Sequence, residues 1–180
     1  AALPDPTPQR FAALRMAYRG VAIGEVIRFE LEAADVAVAA AEKAGRDGGL
    51  PADPGLAEVA FEVDLLAGRA GEAAAVMTEA LAELRAQNAP PADRAMAHAR
   101  LGEALLWTDD AEAAGRAFTT ALAVVDEAML PQPDDTAAYA YKGLGLRALR
   151  AGLVKEAARS LEQATALWQA LPCDCRDAAE

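Results

Sequence analysis

Few residues in this chain are of types that perform chemistry, and their spacing keeps them apart. Histidine occurs once, at His98, and serine once, at Ser160. A serine hydrolase needs both on converging elements with an orienting carboxylate. Ser160 lies in an Ala/Arg helical context, and a lone helical His is ordinarily a packing residue. No H-E-x-x-H or E-x-x-H occurs, which removes the zinc-protease and di-iron carboxylate arrangements. Gly48-Gly49 follows a helical segment rather than a strand and lacks a succeeding Lys, so it is not a phosphate loop. Glu58 and Glu62 fall one helical turn apart, with Asp64 nearby. Paired carboxylates can do acid–base work, but a solvated helix face explains them.

Cys173 and Cys175, in PCDCRD, form the one odd cluster. Two thiols could serve as soft metal ligands or a redox handle. Zinc usually takes four ligands, and a disulfide across one intervening residue is strained. The pair therefore reads first as an inert tail, with an intermolecular disulfide, a labile thiol or a metal as lesser readings. The expectation is a chain that is not an enzyme, with no catalytic residue, no cofactor and no metal.

The elements that would position any site are helices. Hydrophobic residues make up 54% but aromatics only 5%, and alanine supplies much of the apolar share. That balance fits closely packed helices with small-residue contacts. No alternating run of β-branched residues competes with helix. The formal net charge of −11 repels nucleic acid and anionic membrane. No apolar run is long enough to cross a bilayer. The opening AALPDPTPQ lacks the basic and apolar regions of a secretory leader, which leans the localisation towards the cytoplasm.

Residues 1–6 read as a disordered lead-in. Thr7-Pro8 is a helix start, a capping hydroxyl followed by Pro at the first helical position. Phe11, Leu14, Tyr18 and Val21 then share one face, and a second segment runs from about Gly24 to Ala44 on Ile23, Ile27, Leu31, Ala34, Val38 and Ala41. The expectation is two helices turning near Gly20–Gly24, a divergent capping hairpin over 7–46. GRDGGLPADPG at 45–55 is the clearest break, with Asp53-Pro54 opening the next helix. Three hairpins follow, at 54–88, 92–130 and 135–171, and a tail at 172–180; all belong to one domain.

The stretch AHARLGEALLWTDDAEAAGRAFTTALAV, 97–124, is the best defined. Gly102 lets a neighbouring helix approach, Ala114 and Ala121 let the second helix nest, and Phe118 supplies the buried bulk between them. Asp109 or Asp110 can cap the second helix. Leu101-Gly102 followed by Ala114, Phe118 and Ala121 resembles the tetratricopeptide repeat (TPR). The pattern recurs as Ala73, Met77 and Ala80, and as Leu144-Gly145 with Ala157, Leu161 and Ala164; Ala60-Phe61 replaces Leu-Gly in the earliest copy. Ala73 to Ala114 is 41 residues and Ala114 to Ala157 is 43, against about 34 for the common repeat. The late Pro90 and Pro131, with apolar Leu84, Val125 and Trp168, place the surplus on longer second helices. The resemblance implies an all-α fold: a right-handed superhelical array of antiparallel hairpins, a TPR-like α-solenoid of about eight helices.

It further implies a non-enzymatic scaffold or adaptor whose first helices line a groove for a protein or peptide. The groove positions carry over to Glu58, Glu62, Leu65 and Leu66; to Met96, Ala99, Glu103, Leu106 and Trp107; and to Tyr139, Lys142, Leu146, Leu149 and Arg150. For Leu65, Leu106, Leu146 and Leu149, packing between helices is the ordinary reading. The Glu-bearing half suits a basic ligand and the Lys142–Arg150 end an acidic one. Lys142 fits the Lys place of the carboxylate clamp found in one subfamily, but Leu146 stands where that clamp needs Asn, so no clamp is expected. On the last helix, Leu167, Trp168 and Leu171 form an expected apolar association patch for a homodimer. The alternatives are a repeat module of a larger regulator or assembly factor, a homo-oligomerising repeat protein or, from another class, a small-molecule binder or enzyme.

Overall fold

The structure, a computed structural model, describes residues 7–130 and 135–171. The lead-in at 1–6, Pro131 and the tail with Cys173 and Cys175 lie outside the described residues. Within them the chain is all-helical, with eight helices and no strand: α1 (Pro8–Ile27), α2 (Leu31–Asp47), α3 (Pro54–Leu66), α4 (Ala70–Ala86), α5 (Pro91–Trp107), α6 (Ala111–Glu127), α7 (Asp135–Arg150) and α8 (Val154–Ala170). They fall into two compact units, Ala1–Ala86 and Gln87–Glu180.

Helix starts follow the capping chemistry of the sequence. The Thr7 hydroxyl accepts from the Arg10 N–H, and the Asp53 carboxylate accepts from the N–H groups of Gly55 and Leu56. Asp110, not Asp109, caps α6, by accepting from Ala113 N–H. Asp109 has another role. It is one of seven described residues with positive φ, namely Phe29, Gly49, Gly68, Asn88, Asp109, Met129 and Gly152. They fall 19–23 residues apart, and Gly68 to Asp109 to Gly152 repeats the 41- and 43-residue spacing of the hairpins.

These residues close the helices through left-handed caps. After α1, Glu30 N–H donates to the Glu25 carbonyl at 2.9 Å and Phe29 N–H to Val26 at 3.0 Å. Leu130 to Val125 and Leu153 to Ala148 repeat the longer bond after α6 and α7. The turn expected near Gly20–Gly24 is therefore corrected to Arg28–Glu30. Glycine weakens a helix but does not end it; the cap with its two extra bonds does. The second helix accordingly starts at Leu31, not near Gly24. The surplus repeat length is also not confined to second helices, since α5 and α6 are both 17 residues long.

Met129 holds φ +48° with its side chain 87% exposed. An L side chain in the left-handed region costs about 1–2 kcal/mol, partly offset by the greater unfolded-state freedom of Gly. Met129→Gly should raise stability by about 0.5–1 kcal/mol, read as a higher urea midpoint with unchanged m.

In the first unit, α1 and α2 pack as a hairpin, α3 lies against both, and α4 covers α3. Its core is Ala34, Ala37, Val38 and Ala41 of α2 against Leu56, Val59, Ala60 and Val63 of α3, with Ala22 from α1. Arg19 of α1 reaches the Asp53 cap at 2.8 Å, and Arg69 joins Asp35 at 2.8 Å to Asp64 at 2.7 Å. Those carboxylates hold the Arg69 guanidinium above its usual range, Asp64 being the larger cause.

In the second unit, α6 packs on both α5 and α7, α5 also touches α7, and α8 covers α7. Phe118, 1% exposed, is the pin of this arrangement. A Cβ at Gly102 of α5 would stand 2.8 Å from its ring, and one at Gly143 of α7 only 2.1 Å. Gly145 makes the matching approach to Leu161 of α8, at 2.7 Å. Two glycines two residues apart point to nearly opposite faces of α7, so one helix is approached closely on both sides.

Candidate functional site

Because α5 and α7 touch while Phe118 fills the space behind them, a pocket of about 300 Å³ opens between them. Phe118, Gly143 and Leu106 form its base. Leu146 and Leu149, 40% and 47% exposed, give apolar walls, and Trp107, 62% exposed, stands at the edge. Tyr139, Glu103, Lys142 and Arg150 complete it.

The polar groups around this apolar base are held by one another. Glu103 lies 3.3 Å from Arg100 and 3.8 Å from Lys142. Arg100 donates to the Tyr139 hydroxyl at 2.8 Å. The Arg100 guanidinium and Lys142 ammonium lie 4.6 and 4.3 Å from the centre of the Tyr139 ring, each within cation–π reach of it. Arg150 lies over Trp107 at 5.3 Å, donates to the Leu106 carbonyl at the end of α5, and stands 3.9 Å from Asp109. A cation there suits the negative end of the helix dipole. Aromatic and charged side chains are thus pre-positioned around an open apolar floor. That arrangement suits insertion of an apolar side chain with polar contacts at the rim.

Of the groove positions expected from the sequence, Glu103, Leu106, Trp107, Tyr139, Lys142, Leu146, Leu149 and Arg150 come together here. Leu106 is buried, while Leu146 and Leu149 are not the interhelical packing residues that their type predicts. Met96 is half-buried outside the pocket lining, and Ala99 is buried in the core. Glu58 and Glu62 stand on α3 of the first unit, Glu58 exposed and Glu62 half-buried. Of the association patch expected on α8, Trp168 is exposed while Leu167 and Leu171 are half-buried. Leu167 packs against the cluster of Ala95, Val125 and Ala137, Trp168 meets the Tyr139 ring edge-on at 6.5 Å, and Leu171 is half-buried. The face of α8 that carries Leu167 is turned onto residues of α5, α6 and α7.

Sequence reasoning passed over Arg100, which orients Tyr139, and Gly143, whose missing side chain admits Phe118. The signal for Gly143 was the Gly-Leu-Gly run itself. Among the described residues no group of three or more His, Cys, Asp or Glu could hold a metal ion. None of the described helices is long and apolar enough to cross a membrane.

No protein-family model matches the chain, and no curated protein matches it. Among solved structures, the chain is similar to the crystal structure of BtubC (BKLC) from P. vanneervenii, with a TM-score of 0.76. The two are 18% identical, over 99% of this chain and 72% of that one. The likeness is one of fold: BtubC is helical too.

Proposed function

We propose that this chain is a TPR-like, non-enzymatic interaction module that holds a peptide or protein partner in the α5–α7 pocket. The observation that supports it is the company of Trp107, Leu146 and Leu149 around an open base, ringed by Glu103, Lys142 and Arg150. Exposed Trp beside a pocket is the side-chain type that dominates binding energy at interfaces. The first helices of successive hairpins stand side by side here, as the resemblance to TPR proteins implies for a groove.

The test compares wild type with a Trp107→Ala, Leu149→Glu variant. Both side chains are about half exposed or more, so far-ultraviolet circular dichroism and thermal midpoints should change little. Partners captured from lysate are identified, and the affinity of the purified partner is measured for both proteins. The expected result is at least an approximately 30-fold weaker complex for the variant, the loss of about 2 kcal/mol typical of a hot spot. Equal affinity for both would place the contact elsewhere and end this reading.

A further inference from the structure

Arg147 of α7 is a cation without a counter-ion among the described residues. Its side chain crosses α6 at Gly115, where a Cβ would stand 2.6 Å from Nη1 and 3.2 Å from Cδ. Its Nε is buried and has no hydrogen-bond acceptor there. Arg15 and Arg100 also bury Nε, but each bonds an acceptor through Nη1. The chain has 28 acidic and 17 basic residues, so scarcity of carboxylates does not explain an arginine left without one. The shifts of 41 and 43 residues that relate the hairpins place Ala74 at the register of Gly115 and Ala104 at the register of Arg147. The pairing of a long cationic side chain with a missing one is thus no part of the repeat.

Arg147 lines an open hollow of about 650 Å³ together with Leu144 and Ala148 of α7 and Arg159, Ser160 and Gln163 of α8. Arg159 is also without an ion pair among the described residues, although Glu156 and Glu162 stand three residues to either side of it and line the same hollow. Two guanidiniums, a hydroxyl and an amide make the hollow rich in donors, since a guanidinium only donates. A carboxylate accepts from such a fork through two parallel bonds. The volume falls in the range of small-ligand sites, about 300–1,000 Å³. We infer that the hollow binds a small organic acid, with its single carboxylate on Arg147 and Arg159 and its compact apolar body on Leu144 and Ala148.

Charge selects a monoanion. The formal −11 of the chain acts weakly on one small anion, because carboxylates farther off than a Debye length of about 8 Å are screened at physiological salt. The two guanidiniums act at contact distance, where attraction is strongest. Glu156 and Glu162 are local, and they oppose a dianion or the acidic surface of a protein. A compact acid with one charge meets the arginines at the least cost from these two. The hollow shares no lining residue with the α5–α7 pocket, so the inference stands independently of that site.

Titration of the full chain with hexanoate at constant ionic strength tests this, with the Arg147 Nε–H signal followed by nuclear magnetic resonance. The signal should shift and saturate. Arg159 is exposed, so Arg159→Gln keeps the fold; it should weaken hexanoate at least about tenfold, the effect of losing a hydrogen bond to a charged group. Gly115→Ala changes no residue of the hollow but displaces the Arg147 guanidinium, and it should weaken binding as well. Lys155→Gln, an exposed cation of α8 outside the lining, should leave it unchanged. Phosphate should bind at least about tenfold more weakly than hexanoate. A signal that moves no more with hexanoate than with sodium chloride overturns the inference. So does an affinity that Arg159→Gln leaves unchanged or that Lys155→Gln lowers equally, and so does phosphate bound as tightly as hexanoate.

Discussion

Phe118→Ala should cost the second unit about 3–5 kcal/mol of stability, the range for truncating a buried aromatic. The ring is 1% exposed and touches α5 through Gly102 and α7 through Gly143 while belonging to α6. Its removal leaves a cavity where three helices meet, and none of the three can close it without moving from the other two. Urea unfolding by circular dichroism should show an early transition of the second unit. The first unit, whose core is built from α1, α2 and α3, should unfold as in wild type. The same cavity lies beneath the pocket, so binding should weaken even where the variant remains folded.

Gly143→Ala is the second large effect, and its sign runs against propensity. Alanine is favoured over glycine in a helix interior by about 1 kcal/mol. At Gly143, however, the added methyl would stand 2.1 Å from the Phe118 ring, while a Cβ at Gly102 on the other side would stand at 2.8 Å. The ring has no room to retreat. A net loss of about 2–3 kcal/mol is expected, measured as a lower urea midpoint. Phe118→Leu in the Gly143→Ala background should cost less than in wild type, because the smaller side chain relieves the clash. Additive costs in that cycle would show that the two positions do not press on each other.

The all-helical fold was legible because the chain signals its helix starts and small-residue contacts openly. Thr7-Pro8 and Asp53-Pro54 mark caps by chemistry alone, and Gly102 with Phe118 marks a close helix pair by size. Helix ends were less legible, since Phe29, Asn88, Asp109 and Met129 adopt a conformation that sequence patterns assign to glycine. A turn near Gly20–Gly24 was the natural reading for that reason. The pocket was legible in part. Spacing along α5 and α7 puts Trp107, Tyr139, Lys142 and Arg150 on facing helices, but the pairing of Arg100 with the Tyr139 hydroxyl joins residues 39 apart. No local pattern encodes it. Hydrophobicity alone also misplaced Leu146, Leu149 and Leu167: the first two open onto the pocket and the third turns inward.

The central claim is that the α5–α7 pocket takes a partner's side chain. The most direct measurement is selection of a displayed peptide library on the wild-type chain, with parallel selection on the Trp107→Ala, Leu149→Glu variant. The account predicts a family of peptides sharing an apolar residue, retained by wild type, lost by the variant, and quenching or shifting Trp107 fluorescence on binding. Peptides that bind both proteins equally and leave that fluorescence unchanged would contradict it.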